Sequence, residues 1–236
     1  MYLNTNPTDS DLKFIENWLY EEYKTYGEGL YSNWHLALES NQEGQLAVFK
    51  MDNKAVGFVT WQDSTIQRNV NLMAIQPKLR RKGFGRTFFQ EFENVTRNEG
   101  FVAILLFCSP EESQFFWRKV GFFDVHKATL IYHGLSLYKP LTERVESTDN
   151  LPLNRLELWD MEPIRVTSDT PPKWIWDLSE LTPDKPIIEA CHYEWNLRVT
   201  IEGKLIREDK VKYFREQKIH IGSFLYLTEN VIWKEF

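Results

Sequence analysis

Hydrophobic residues in the first part of the chain follow helical spacing in some segments and alternate with polar residues in others. Leu12, Ile15 and Leu19 lie three and four residues apart behind Thr8, which together with Asp11 predicts a capping box at the start of a helix. The predicted elements are a helix from Thr8 to Tyr26, a hairpin of strands over 46–50 and 56–61, strands over 69–75 and 101–108, a helix ending at 98–100, a helix over 111–120 and two strands within 122–141 that turn near His133 and Gly134.

The order of these elements predicts the fold class. Helix, three strands, helix, strand, helix and two strands form a mixed α/β layer, with helices on both faces of one central sheet. The segment over 144–155 is polar and has no periodicity, which is typical of a linker. The sequence therefore predicts an α/β domain over residues 1–142, followed by a smaller α+β domain over residues 143–236.

The second domain has a weaker pattern. Hydrophobic residues from Tyr193 to Ile201 alternate with Glu194, Asn196, Arg198 and Thr200, which predicts a strand with one face in water. A short helix over 208–217 and a further strand over 219–227 are expected after it, and a loop-rich region before it. The predicted role of this domain is either a surface that selects the substrate or a homodimer contact.

Composition limits the classes of function. The 236 residues carry a formal net charge of -6, which disfavours a general nucleic-acid or anionic-membrane binder. The longest apolar run, 101–108, is too short to span a bilayer, and the first ten residues lack signal-peptide features, so we expect a cytoplasmic protein without a membrane partner. The only cysteines, Cys108 and Cys191, predict no disulfide framework and no metal site.

A basic, glycine-containing segment stands out between the strand over 69–75 and the following helix. It reads Arg80-Arg81-Lys82-Gly83-Phe84-Gly85. A strand that turns through glycines into a helix directs backbone amides and the positive end of the helix dipole toward one point, as phosphate sites do. The alternative is a tight surface turn at a solvated helix start. The spacing is that of neither a Walker A loop nor a dinucleotide fingerprint.

Three coupled motifs resemble the GNAT N-acetyltransferase superfamily over about residues 1–140. The basic segment matches the family signature [QR]-x-x-G-x-[GA], and Ile75-Gln76-Pro77 precedes it where the family has a hydrophobic-x-Pro strand end. About thirty residues later, Trp117-Arg118-Lys119-Val120-Gly121-Phe122 lies where the family's next helix ends in aromatic-x-x-Lys-x-Gly-Phe, and it resembles that pattern in its Lys-x-Gly-Phe end. The predicted order of elements is also that of the family.

The resemblance implies acetyl-coenzyme A as co-substrate and an amine of a small molecule or peptide as acceptor, without a metal ion or nucleic acid. It implies that backbone groups of Ala74 and Ile75 pair with the pantetheine arm and that Gln114 and Phe115 lie on its other side. The loop residues would hold the pyrophosphate with their amides and neutralise its charge with their basic side chains. These loop residues are Arg80, Arg81, Lys82, Gly83, Phe84, Gly85, Arg86 and Thr87.

The catalytic residues are left unassigned, because the sequence departs from the family where an acid and a base are expected. Trp117 stands where many members have a tyrosine, and Pro110 where they often have an asparagine. Three routes stay open: a water-mediated proton path, a substitute acid or base, and lost catalysis in a module that only binds coenzyme A. Cys108 is predicted to be a core thiol and His126 a surface residue. The substitutes considered are Tyr132, His133, Tyr138 and Asp63.

Overall fold

The computed structural model describes residues 1–126, 135–217 and 219–229. The chain divides into two compact units, Met1–Phe107 and Cys108–Phe236. The α-helices are α1 (Asp9–Tyr26), α2 (Trp34–Gln42), α3 (Phe84–Asn98) and α4 (Gln114–Lys119). The strands of the first unit are β1 (Tyr2–Asn4), β2 (Leu46–Met51), β3 (Lys54–Asp63), β4 (Gln67–Ile75) and β5 (Ala103–Phe107). The strands of the second are β6 (Phe123–Asp124), β7 (Ser136–Pro140), β8 (Arg155–Trp159), β9 (Trp174–Asp177), β10 (Ile187–Ala190), β11 (Asn196–Ile201), β12 (Lys204–Lys210), β13 (His220–Ile221) and β14 (Phe224–Leu227).

The first unit is a mixed sheet covered by helices on both faces. Its five strands lie in sequence order, with antiparallel pairs up to β4 and a parallel pair between β4 and β5. On one face, α1 and α2 pack on residues such as Val48 and Phe58. On the other face, α3 places Phe88 against Phe49 at 5.1 Å between ring centroids. The predicted α/β class, with helices on both faces of a mixed sheet, is confirmed.

The predicted capping box is present at the start of α1. Thr8 accepts a hydrogen bond from the Asp11 amide through its side chain, and the Asp11 carboxylate accepts one from the Thr8 amide at 3.0 Å. Asp11 also forms a 2.8 Å ion pair with Lys50 of β2, and the side chains are 4% and 13% exposed. Burial opposes ionisation of Asp11, but the bonds from Lys50 and Thr8 outweigh it and lower the pKa of the carboxyl.

We expect Asp11→Asn to lower the free energy of unfolding by about 2 kcal/mol at neutral pH, because Lys50 loses its counter-charge and the box loses an acceptor. The folded pKa of Asp11 lies below the unfolded value of about 3.9, so its contribution is complete above that value and is lost as the pH falls through the folded pKa. Denaturant titrations at pH 7 and at lower pH measure this difference.

Asp9→Asn is the matched control, because Asp9 occupies the same first turn but is exposed. Asp9, like Asp11, interacts with the positive end of the helix dipole. Asp9→Asn is therefore expected to change the free energy of unfolding by only a few tenths of a kcal/mol. Equal losses in the two variants at neutral pH, or a loss for Asp11→Asn that persists in acid, would contradict the assigned role of the ion pair.

The described part of the second unit contains two small antiparallel sheets and one further pair of antiparallel strands. Strand β6 pairs with β7, the order β12-β11-β8-β9 forms one sheet, and β10-β14-β13 forms the other. Both sheets contribute to one apolar core that includes Leu156, Leu197, Phe214 and Leu225. These residues are fully buried, so the second unit has a hydrophobic core of its own.

Several predicted elements differ from the observed ones. Strand β1 and helix α2 were not predicted, and the loop-rich region before β11 contains β8, β9 and β10. The helix predicted over 208–217 is present only in part: residues up to Lys210 extend β12, and Val211–Gln217 is a 3-10 helix with a kink at Phe214. Pairing with β11 overrides local propensity there. The turn predicted near His133 and Gly134 lies outside the described residues.

The predicted wet face of β11 is also wrong. Asn196 and Thr200 are 0% and 2% exposed, although both belong to the polar face. Asn196 donates to Glu208 at 2.8 Å, and Arg198 forms a 2.9 Å pair with the same carboxylate. The alternation was read correctly, but a polar face can be buried when its groups bind one another, and the sequence does not show these partners.

Candidate functional site

Strand β4 continues beyond its parallel neighbour. The register between β4 and β5 runs from Gln67 opposite Ala103 to Val70 opposite Leu106, whereas β4 itself extends to Ile75. A β-bulge lies where this pairing ends. The neighbouring residues Thr60 and Trp61 of β3 are opposite Leu72 and Val70 of β4, so Asn71 is an extra residue in β4. Among the described residues, no strand pairs with the last part of β4 on the side that β5 occupies along 67–70, and this edge is therefore open there.

The register determines which backbone groups face this open edge. The Gln76 amide donates to the Val56 carbonyl at 2.8 Å, and the Leu72 amide donates to the Thr60 hydroxyl, so both point toward β3. Backbone groups alternate in direction along a strand, and Met73 and Ile75 therefore point away from β3, into the open edge. The amide and carbonyl of Ala74 point toward Phe58. Met73 was not among the predicted contacts, although its position two residues before Ile75 places it on the same edge of the strand.

A glycine in β3 allows this end of β4 to lie close. Gly57 is opposite Ile75, and an added Cβ would come within 2.7 Å of Ile75 Cδ1 and 2.9 Å of the Ala74 carbonyl oxygen. Any side chain at this position would push the end of β4 outward. The absence of a side chain at Gly57 therefore maintains the geometry of the open edge.

The basic loop leads from β4 into α3 through a left-handed turn. Arg81 and Gly83 have φ of 63° and 89°, and Gly83 is the N-cap of α3. The amides of Lys82 to Gly85 donate to no acceptor within the described ranges, while those of Arg86 and Thr87 turn back to the Gly83 carbonyl at 3.0 and 3.3 Å. The loop thus presents free amides at the positive end of a 15-residue helix.

The basic side chains of the loop have different environments. Arg80 donates through Nε to the Ile75 carbonyl at 2.8 Å, and both of its terminal nitrogens bind the Glu22 carboxylate of α1. Its guanidinium therefore ties α1 to the end of β4. Arg81, Lys82 and Arg86 are exposed. These three remain available to a ligand, whereas Arg80 would have to leave Glu22 in order to bind one.

The other predicted residues lie in the second unit. Gln114 and Phe115 begin α4, and Phe115 is 64% exposed. Trp117 is buried in the same helix and packs edge-on against Phe122 at 5.2 Å between ring centroids. Pro110 is the residue before the 3-10 turn that precedes α4. Cys108 is buried, and burial raises the pKa of its thiol, as in a structural cysteine.

Two of the four candidate acids and bases are engaged in other interactions. Asp63 accepts hydrogen bonds from Arg68 on both oxygens, at 2.7 and 3.0 Å. Tyr138 donates to Glu189 at 2.9 Å and accepts from Arg144 at 3.0 Å, and burial raises the pKa of its hydroxyl well above the usual range. Tyr132 and His133 lie outside the described residues.

His126 is more enclosed than a free surface residue. Its Nε2 lies 3.1 Å from the Asp160 carboxylate, and its ring contacts those of Trp174 and Trp195 edge-on. Burial lowers the pKa of the imidazole, and Lys173 lowers it further. Its side chain is 36% exposed, so the predicted surface position holds only in part.

The described residues contain neither a cluster of metal ligands nor a helix that could span a membrane. No group of three or more His, Cys, Asp or Glu side chains is arranged to hold a metal ion within 1–126, 135–217 and 219–229. None of the helices in that part of the chain has both the length and the apolar character needed to cross a bilayer.

Comparison with known proteins identifies the family. Residues 17–139, more than half of the chain, match the family described as acetyltransferase (GNAT) domain. The protein therefore belongs to the GNAT acetyltransferase family, as the three motifs predicted. No curated protein matches the sequence.

Solved structures with similar folds have low sequence identity to this chain. An acetyltransferase of the GNAT family from Staphylococcus aureus Mu50 has a TM-score of 0.49 and 13% identity, covering 59% of this chain and 99% of that one. The PaiA N-acetyltransferase from Thermoplasma acidophilum, in complex with coenzyme A, has a TM-score of 0.46 and 17% identity. The alignment covers 59% of this chain and 99% of that one. N-acetylglutamate synthase from Neisseria gonorrhoeae, complexed with coenzyme A and N-acetyl-glutamate, has a TM-score of 0.47 and 11% identity. The alignment covers 60% of this chain and 35% of the synthase.

Proposed function

We propose that the protein transfers an acetyl group from acetyl-coenzyme A to a primary amine of a small molecule or peptide. One observation carries the proposal: an open strand edge is followed, a few residues later in the chain, by a cluster of free backbone amides. The edge ends at Ile75, and the amides belong to Lys82 to Gly85. A ligand with an amide-containing arm and a diphosphate matches both features, and membership of the GNAT family supports this ligand.

The residues fit this co-substrate. Met73 and Ile75 would pair with the pantetheine amides in the manner of an added strand, although Arg80 shares the Ile75 carbonyl. The loop amides would bind the pyrophosphate, and Arg81, Lys82 and Arg86 would neutralise charge around it. Gly83 and Gly85 let the backbone approach without a side chain in the way. Gln114 and Phe115 remain predicted contributors.

Acetyl-coenzyme A would supply an activated thioester for direct attack by a neutral amine. The amide of Met73 points into the open edge beside the bulge, where it would stabilise the charge that develops on the carbonyl oxygen. The amine must lose a proton, and the departing thiolate must be neutralised. With Trp117 in the usual tyrosine position and Tyr138 engaged with Glu189, we propose that water carries these protons.

A second candidate is a module that binds coenzyme A without turnover. It is supported by the same two residues, because the indole of Trp117 cannot donate a proton to a thiolate and the hydroxyl of Tyr138 is already committed. The domain boundary at residues 142/143, the role of the second domain in substrate selection or dimer contact, and the cytoplasmic location remain predictions.

The test uses the full-length protein with acetyl-coenzyme A and a panel of small amines and lysine-containing peptides. We expect release of free thiol that requires both an amine and the protein, with acetylated product identified by mass spectrometry. Calorimetry with coenzyme A separates the alternatives. Binding without turnover across the panel would favour the non-catalytic module, and the absence of binding at millimolar coenzyme would contradict both candidates.

A further inference from the structure

The second unit contains a cleft that the proposed acetyl transfer does not use. Its volume is about 380 Å³, and its lining includes Phe123, Lys139, Arg144, Glu146 and Lys185. Gly121, which follows the C-terminal end of α4, also lines it. The cleft therefore lies at the opposite end of α4 from Gln114 and Phe115, the two residues of this unit that we assign to coenzyme binding.

Arg144 forms one wall of the cleft, and its side chain is fixed by contacts with neighbouring residues. The Arg144 side chain is only 15% exposed. Its NH1 donates to the Tyr138 hydroxyl at 3.0 Å and lies 3.8 Å from the Glu189 carboxylate, and its guanidinium carbon lies 4.9 Å from the Phe123 ring centroid. Tyr138 donates in turn to Glu189 at 2.9 Å. These contacts fix the plane of the guanidinium, so its remaining donors have a fixed direction.

A weakly held carboxylate occupies those remaining donors. Nε and NH2 of Arg144 bind the two oxygens of Glu146 at 3.1 and 3.2 Å. Charge-assisted bonds of this kind are normally about 2.7–2.9 Å long. The Glu146 side chain is 73% exposed and lies only two residues away along the chain. Because the Glu146 carboxylate is largely in water, its pairing with Arg144 is weak enough for another carboxylate to displace it.

We propose that this cleft binds a small dicarboxylate, with one carboxylate replacing Glu146 on the Arg144 guanidinium. A planar guanidinium with two parallel donors is the geometry that selects a carboxylate. Lys139 and Lys185 line the same cleft and favour a second anionic group. Lys139 donates to the Val120 carbonyl at 2.7 Å, and Lys185, which binds Glu180 at 3.0 Å, keeps ammonium protons to donate. The cleft is small and open to solvent, so it suits a compact molecule that is bound mainly through charged groups.

The experiment is calorimetric titration of the full-length protein with succinate and glutarate, with the neutral diamide succinamide as control. We expect saturable binding of at least one dicarboxylate and none of succinamide. Glu146→Gln removes the internal competitor and should tighten binding about threefold to fivefold. Glu143→Gln is the matched control: it makes the same charge change on an exposed residue of the same cleft that is not bound to Arg144.

Arg144→Lys keeps the charge but loses the planar pair of donors, and we expect it to weaken dicarboxylate binding at least tenfold. Its folding is checked by circular dichroism, and the Glu146→Gln result stands independently if Arg144→Lys is unstable. Three results would overturn the proposal: no saturable heat with either dicarboxylate in the wild type and Glu146→Gln, equal binding of succinamide, or equal effects of Glu146→Gln and Glu143→Gln.

Discussion

Gly83→Ala is expected to weaken coenzyme A binding by about tenfold or more. Gly83 has φ of 89°, a conformation that costs an L-residue about 1–2 kcal/mol. The backbone can relieve that strain by rotating, and rotation turns the amides of Lys82 to Gly85 away from their common direction. Each charge-assisted bond lost from these amides to a phosphate contributes about 1.5–3 kcal/mol, so the loss of one is enough for a tenfold effect.

Gly100→Ala is a matched control for this variant. Gly100 has the same φ of 89° and follows the other end of α3, and at both glycines an added Cβ would meet no heavy atom of the described residues within 4 Å apart from its immediate chain neighbours. Both variants should lower the free energy of unfolding by about 1 kcal/mol, whereas only Gly83→Ala should lose affinity in calorimetry. If both variants bind coenzyme A as the wild type does, the loop amides are not its phosphate site.

Arg68→Ala is expected to destabilise the first unit by about 3–4 kcal/mol, the largest stability effect that we predict. The Arg68 side chain is 3% exposed and bridges Asp63, at 2.7 Å, and Glu99, at 2.6 Å. Its guanidinium carbon lies 4.6 Å from the ring centroids of both Trp61 and Phe101. Removal therefore leaves a cavity between two rings and two carboxylates without their shared partner.

Arg68→Lys separates charge from shape. The ammonium keeps the positive charge but cannot bind both oxygens of Asp63 or fill the space between the rings, so about half of the loss should remain. Denaturant unfolding of the wild type and of both variants, followed by circular dichroism, measures these losses. A loss below about 1 kcal/mol for Arg68→Ala would mean that the cluster behaves as an ordinary surface ion pair.

The elements that the sequence predicted well are those governed by neighbouring residues. Helix α1 begins at its capping box, and the turn between β2 and β3 contains Asp52 and Asn53 with positive φ, as the hairpin required. Helix α2 was missed because its stripe is short, with only Trp34 and Ala37 buried. The polar face of β11 was misassigned because Glu157 and Glu208, which meet it, come from other strands.

In the candidate site, too, some features depend on neighbouring residues alone and others depend on tertiary contacts. The sequence by itself determined the loop, because glycine conformation, helix dipole and basic character are local properties of residues 80–87, and the coupled motifs identified the family. Only the tertiary structure decided that Met73, rather than the predicted Ala74, faces the open edge together with Ile75, and that Glu22 binds Arg80. Those facts depend on strand register and on contacts between residues as far as 58 positions apart, which the order of the residues does not reveal.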